Sequence, residues 1–92
     1  MITMPITKII ANEVAMPTSA GTASSISEAT CVRLYNGSGS AATVSISTAV
    51  GAATTNTITL PNAAVEFLAK ASTDVIFASS SSVKAAKVGF TN

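Results

Sequence analysis

The chain has 92 residues, a net charge of +1, a single cysteine and no histidine, which bounds it to one small domain with neither an internal disulfide nor a multi-cysteine metal site. Only 10% of its residues are charged, against about 25% in an ordinary soluble domain. The basic residues Lys8, Arg33, Lys70, Lys84 and Lys87 are scattered, so clustered phosphate contacts are not expected, and no apolar run approaches a membrane span.

Residues 1–28 read as an N-terminal arm or a pair of edge strands. ITKII (Ile6–Ile10) and NEVAM (Asn12–Met16) carry strand-like apolar residues, but Pro5, Pro17 and the run TSAGTASS (Thr18–Ser25) interrupt them, and an arm needs little periodicity. Pro5 and Lys8 break the N-terminus before a signal-peptide hydrophobic region can form, so a soluble protein made in the cytoplasm is expected.

From Ala29 the period becomes two. In CVRLYN (Cys31–Asn36), Cys31, Arg33 and Tyr35 alternate with Val32 and Leu34. Cys31 reads as a small, partly buried hydrophobe, since a nucleophilic cysteine needs a base and no histidine exists to serve as one. Asn36-Gly37 is the favoured centre of a type I′ hairpin. That turn sets Val44 opposite Ala29, on the face of Cys31 and Arg33, leaving Val32 and Leu34 on the other side. A one-residue slip exchanges faces. The register that buries Val32, Leu34, Val44 and Ile46 together sets Leu34 against Val44 and makes Gly37–Ala41 a loop, unless the chain crosses between sheets here. The triplet Asn36-Gly37-Ser38 also matches a glycosylation acceptor, but reads better as a structural turn.

TVSISTAV (Thr43–Val50) puts Val44, Ile46 and Val50 on one face, and NTITL (Asn56–Leu60) puts Ile58 and Leu60 inward before Pro61 and Asn62 turn the chain. In VEFLAK (Val65–Lys70), Val65 and Phe67 oppose Leu68, and in DVIFAS (Asp74–Ser79), Val75 and Phe77 oppose Ile76. Such two-sided strands are either covered twice or meet another molecule. Val65, Phe67, Leu68, Ile76 and Phe77 are therefore the candidates for the core and for any contact face. VKAAKVGFT (Val83–Thr91) closes the chain with Val88 and Phe90 on one face, and Gly89 marks a bulge or a close backbone approach. Nothing sustains an apolar helical face. The expected fold is all-β: a small single-domain β-sandwich or barrel of about seven strands, with the sandwich over 29–92 and the arm or edge strands over 1–28.

The carboxylates are Glu13, Glu28, Glu66 and Asp74. Glu66 and Asp74 lie on neighbouring strands, but Asp74 is better read as capping the turn KASTD, with Lys70 balancing it. No catalytic, cofactor-binding or metal-ligating residue is expected, and the chain reads as non-enzymatic. Between Arg33 and Glu66 there is no charge at all, so the lysines that normally guard sheet edges are missing and assembly with neighbours is expected.

An early VRLYN strand, Thr-rich strands, a Leu-Pro turn, a Lys and Thr-Asp turn and the closing Val-x-Ala-x-x-Val-x-Phe strand give NTITLPNAAVEFLAKASTDVIFASSSSVKAAKVGF its style. Over Ala29 to Thr91 this resembles small virion structural proteins of tailed bacteriophages, particularly marine ones. The resemblance implies a β-rich protein present in many copies in the virion, as a head decoration (cement) protein or as a tail, neck or fibre-base component. Its expected partners are the major capsid protein or tail proteins and further copies of itself, with no nucleic acid, membrane or cofactor. An alternative of another class is a small carbohydrate- or surface-binding sandwich module, for which Tyr35 and the phenylalanines would be the platforms. The first 28 residues fall outside the resemblance.

Overall fold

The computed structural model describes residues 6–52 and 56–91. Its strands, in chain order, are β1 (Ile6–Ile9), β2 (Val14–Ala15), β3 (Cys31–Asn36), β4 (Ala42–Ser47), β5 (Asn56–Leu60), β6 (Val65–Ala69), β7 (Val75–Ala78) and β8 (Val83–Thr91), with a single 3-10 turn at Ala20–Thr22. They form two antiparallel sheets that do not close into a barrel. The larger has the order β1-β8-β3-β6, with β2 also on β8, and the smaller has the order β5-β4-β7. The fold is thus a small β-sandwich.

Alternation decides which side chains meet. Directly paired residues share a face, so Leu34 on β3, paired with Ala85 on β8, and Val32, paired with Leu68 on β6, point the same way. In the smaller sheet Val44 faces Ile58 and Ala78, and Ile46 faces Ile76. These inner faces join in one core containing Val32, Leu34, Ala42, Val44, Leu60, Ile76, Ala78, Val83 and Ala85, against which Ile46 and Leu68 pack. Met16 and Ile26 belong to the same core, so the N-terminal residues share the hydrophobic interior of the sandwich.

The N-terminal strands lie along β8. The pairing steps from Ile9 opposite Val88 to Val14 opposite Ala85, so residues 10–13 bulge out opposite Ala86 and Lys87. At the bulge the N–H groups of Ile10 and Ala11 both donate to the Lys87 carbonyl, at 3.0 and 3.3 Å. A Cβ on Gly89 would come within 3.1 Å of Ile10 Cδ1. The glycine therefore serves a close approach, while the extra residues of the bulge sit on the opposite strand.

The chain then passes from the larger sheet to the smaller. Met16 N–H donates to Val83 O, Ala78 N–H donates to Pro17 O, and Ser24 and Ile76 exchange backbone bonds at 3.0 and 2.8 Å. Residues 25–29 return it through a left-handed turn in which Ile26, Ser27 and Glu28 have φ between 52° and 58°. L-residues resist that conformation. It is held by Ser24 Oγ accepting from Ile26 N, Ser25 Oγ accepting from Glu28 N, and Lys87 Nζ donating to Ser27 O at 3.0 Å.

Of the two routes left open after β3, a hairpin to β4 or a crossing between sheets, the chain takes the crossing. β3 lies between β6 and β8, whereas β4 lies between β5 and β7, so Gly37–Ala41 carries the chain from one sheet to the other. The crossing is anchored by Asn36, the last residue of β3, which is fully buried. Its Nδ2 donates to Leu60 O and Ser40 O at 2.8 Å and to Pro61 O at 3.2 Å, and its Oδ1 accepts from Ser38 N at 3.0 Å. One side chain thus ties the crossing loop to the β5–β6 connection. Val50, expected on the inner face of β4, lies past the end of that strand and is 56% exposed.

Candidate functional site

The outer face of the larger sheet departs most from an ordinary solvated surface. Register places Val65, Phe67 and Ala69 of β6, Cys31, Arg33 and Tyr35 of β3, Lys84, Ala86, Val88 and Phe90 of β8, and Thr7 and Ile9 of β1 on it. Phe67 and Phe90 lean together with ring centroids 5.5 Å apart and planes tilted by 56°, the offset geometry that aromatic pairs prefer. Yet Phe67 is 44% exposed, Phe90 50% and Ile9 77%. Beside them an open groove of about 480 Å³ is walled by Ile9 and Phe67 and also lined by Ala86 and Val88, both buried.

Polar groups lie at the rim of this groove. Arg33 Nη1 meets Glu13 Oε2 at 3.2 Å, a partly exposed ion pair worth less than about 1 kcal/mol. Its contribution is positional: the bulge of residues 10–13 carries Glu13 to Arg33, and the two neutralise each other, leaving Lys84 as the other charge that register places on this face. Cys31, half-buried and free, lies on the same face.

The five residues singled out from the sequence separate into distinct places. Val65 and Phe67 are on this outer face, Ile76 is fully buried in the core, and Leu68 points inward and packs against that core. Phe77 lies on the outer face of the smaller sheet, where it pairs with Ser45 among the hydroxyls of Thr43, Thr57 and Thr59. Tyr35, Phe67, Phe77 and Phe90, all the aromatics of the chain, therefore point away from the core. Sequence reasoning did not bring Ile9 and Phe90 to Phe67. Parity along each strand carried half of that signal, but the pairing of β8 with both β1 and β3 was needed for the rest.

Glu66 and Asp74, expected on neighbouring strands, belong to different sheets: β6 pairs with β3 in the larger, and β7, which follows Asp74, pairs with β4 in the smaller. Asp74 Oδ2 accepts from Ala71 N at 3.2 Å, as a turn cap does, and Lys70 Nζ donates to the carbonyl of Asp74 at 2.9 Å and to that of Ala71 at 3.3 Å. Lys70 is thus bound to main chain and not to the Asp74 carboxylate. Burial pulls its pKa below the ordinary 10.5; Asp74 acts upward and Lys87 downward. Glu66 is exposed on β6, paired with Leu34. Among the described residues no group of three or more His, Cys, Asp or Glu side chains could hold a metal. Ser47 Oγ, in the smaller sheet, is the one buried side-chain polar atom among them without a partner.

A second feature is the mouth between the sheets where β5 and β6 end the sandwich. It is an open cleft of about 270 Å³ lined by Val44, Ile46, Ile58, Leu68 and Ala69 with Asn56, Thr57 and Ser45, and unlike the first groove it has no charged side chain in its lining. Comparison with protein-family models, with curated proteins and with solved structures finds no match for this chain.

Proposed function

We propose that this chain is a bacteriophage virion structural protein, a head decoration (cement) protein that stabilises the capsid by bridging shell subunits through the apolar outer face of its larger sheet. The observation that carries the reading is the outward placement of every aromatic side chain in a molecule whose core is Ala, Val, Leu, Ile and Met. A small domain short of apolar area gains most by burying its phenylalanines. Leaving Phe67 and Phe90 half-exposed lowers its own stability and supplies anchors for a neighbour. The virion setting rests on the resemblance over Ala29 to Thr91. A tail, neck or fibre-base role would use the same face.

The sugar-binding alternative has one observation in its favour, exposed aromatics on a β-sandwich. Rings tilted by 56° to one another do not form the flat platform on which a chain of sugar rings stacks.

The test is cosedimentation with undecorated capsids. Saturable binding at a fixed copy number per shell subunit supports decoration, and Phe67→Ser should weaken it by about thirtyfold, the equivalent of about 2 kcal/mol for a central aromatic anchor. A protein that ignores capsids sinks the cement reading.

A further inference from the structure

The two ends of the sandwich are finished differently. At one end the chain seals its own edges, with residues 6–16 along β8 and Pro17 and Ser24 bonded to β7. At the other end β5 pairs only with β4, and β6 only with β3, among the described residues. β6 has no lysine, proline or bulge to blunt its edge, and its one charged residue, Glu66, paired with Leu34 on the inward side, is the single guard it carries.

The ladder also fixes which backbone groups are free. Asn36 N–H donates to Ala64 O and Lys70 N–H donates to Thr30 O. In an antiparallel pair the bonded positions alternate, so the even-numbered residues of this stretch turn their N–H and C=O towards β3. Val65, Phe67 and Ala69 direct theirs outwards, and their side chains are those of the apolar outer face.

We propose that β6 pairs antiparallel with β6 of a second copy across a twofold axis at Phe67, joining two larger sheets into one continuous sheet. This deepens the decoration reading and rests on it for its purpose, because the joined sheet is the unit that docks. The partner is a second copy because VEFLA complements itself in this register. Phe67 opposes Phe67, Val65 opposes Ala69, Glu66 opposes Leu68, and each outward N–H meets an outward C=O. An axis at Glu66 sets two carboxylates directly opposite each other, a repulsive pair. An axis at Leu68 carries Val65 past the end of the partner strand to Ala71.

Area argues the same way. Four strands of 4 to 9 residues, at about 3.4 Å per residue and about 4.8 Å spacing, present on the order of 400 Å², about half of the roughly 800 Å² that each side of a standard interface buries. Two outer faces joined at β6 reach about 800 Å², with Phe67, Phe90 and Ile9 doubled.

The experiment uses the full chain, with light scattering for mass and amide hydrogen exchange for the edge. The expected mass is about twice 9.1 kDa, with the amides of Val65, Phe67 and Ala69 protected although no described strand other than β3 pairs with β6. Ala69→Pro removes one outward N–H, leaves the bonds to β3 in place, and should return the mass to that of one chain. If that variant does not fold, Val65→Pro, at the first position of the strand, asks the same question. Thr57→Lys on β5 should leave the dimer intact. A wild-type mass of one chain, fast exchange at all three amides, or a dimer that survives the folded proline variant overturns the β6 pair.

Capsid cosedimentation on the same samples separates the two readings. Phe90→Ser, off the β6 edge, should stay dimeric and lose capsid binding. Protein that dimerises through β6 yet ignores capsids leaves the pair standing and sinks decoration, and protein that binds capsids as single chains does the reverse.

Discussion

Asn36 is the residue on which the route of the chain depends. Its amide reaches carbonyls of the crossing loop and of the β5–β6 connection, while its own backbone N–H and C=O meet Ala64 and Ala63. Replacement by alanine leaves buried carbonyls without a donor, each costing about 1–3 kcal/mol. Asn36→Ala should therefore destabilise the protein by about 3 kcal/mol, read as a lower urea midpoint at unchanged m-value; a shift under about 1 kcal/mol would mean that water replaces the amide. Lys70 makes a second prediction at this scale. Burial draws its folded pKa below 10.5, so in the pH window beneath that value the unfolded chain holds more protons than the folded one, and stability rises with pH there. Below the depressed pKa both states are charged and this contribution is flat. Urea unfolding from neutrality upwards should show the wild type gaining on Lys70→Met as pH approaches 10.5, and a constant difference across that window contradicts the assignment.

The strands were legible because their residues repeat every second position in β-branched runs. NTITL and VKAAKVGFT match β5 and β8 end to end, and the opposition of Ile76 to Val75 and Phe77 holds as read. What stayed hidden was the pairing of strands distant in sequence. Parity says which side of a strand is apolar, but not whether that side meets the opposite sheet or the outside, so Val65 and Phe67 could not be told from core. Register spoke against the tight Asn36-Gly37 hairpin, but whether residues 37–41 form a wider hairpin or a crossing rests on which sheet β4 joins, and the strand's own pattern does not carry that. The N-terminal segment shows how anchoring differs between neighbouring elements. Met16 is 2% exposed within the core, whereas Ile9, on the strand beside it, is 77% exposed. Met16→Ala should cost about 2–4 kcal/mol through lost burial and a residual cavity, and Ile9→Ser well under about 1 kcal/mol. Equal costs in urea titrations would place the anchor in β1 instead.

For the whole molecule, the distribution of aromatic area separates stability from assembly. The interior is filled by side chains no larger than Leu, Ile and Met, while Phe67 and Phe90 touch each other outside it. A protein selected for its own stability alone would bury them, since each large aromatic contributes about 2–3 kcal/mol when removed from water. Half-exposed, they return only part of that, mostly to each other. The pair should therefore show opposite sensitivities in two measurements. Replacing both by serine should lower unfolding free energy by only about 1–2 kcal/mol, the loss of one exposed aromatic contact and its partial burial. Leu34→Ala, in the fully buried core, should cost about 3–5 kcal/mol. In cosedimentation with capsids the order reverses: the double serine variant fails to bind, and Leu34→Ala, at a temperature where it remains folded, binds as the wild type does. If the serine variant instead unfolds as readily as the core variant, the outer face supports the fold, and its exposed aromatics no longer argue for a neighbour.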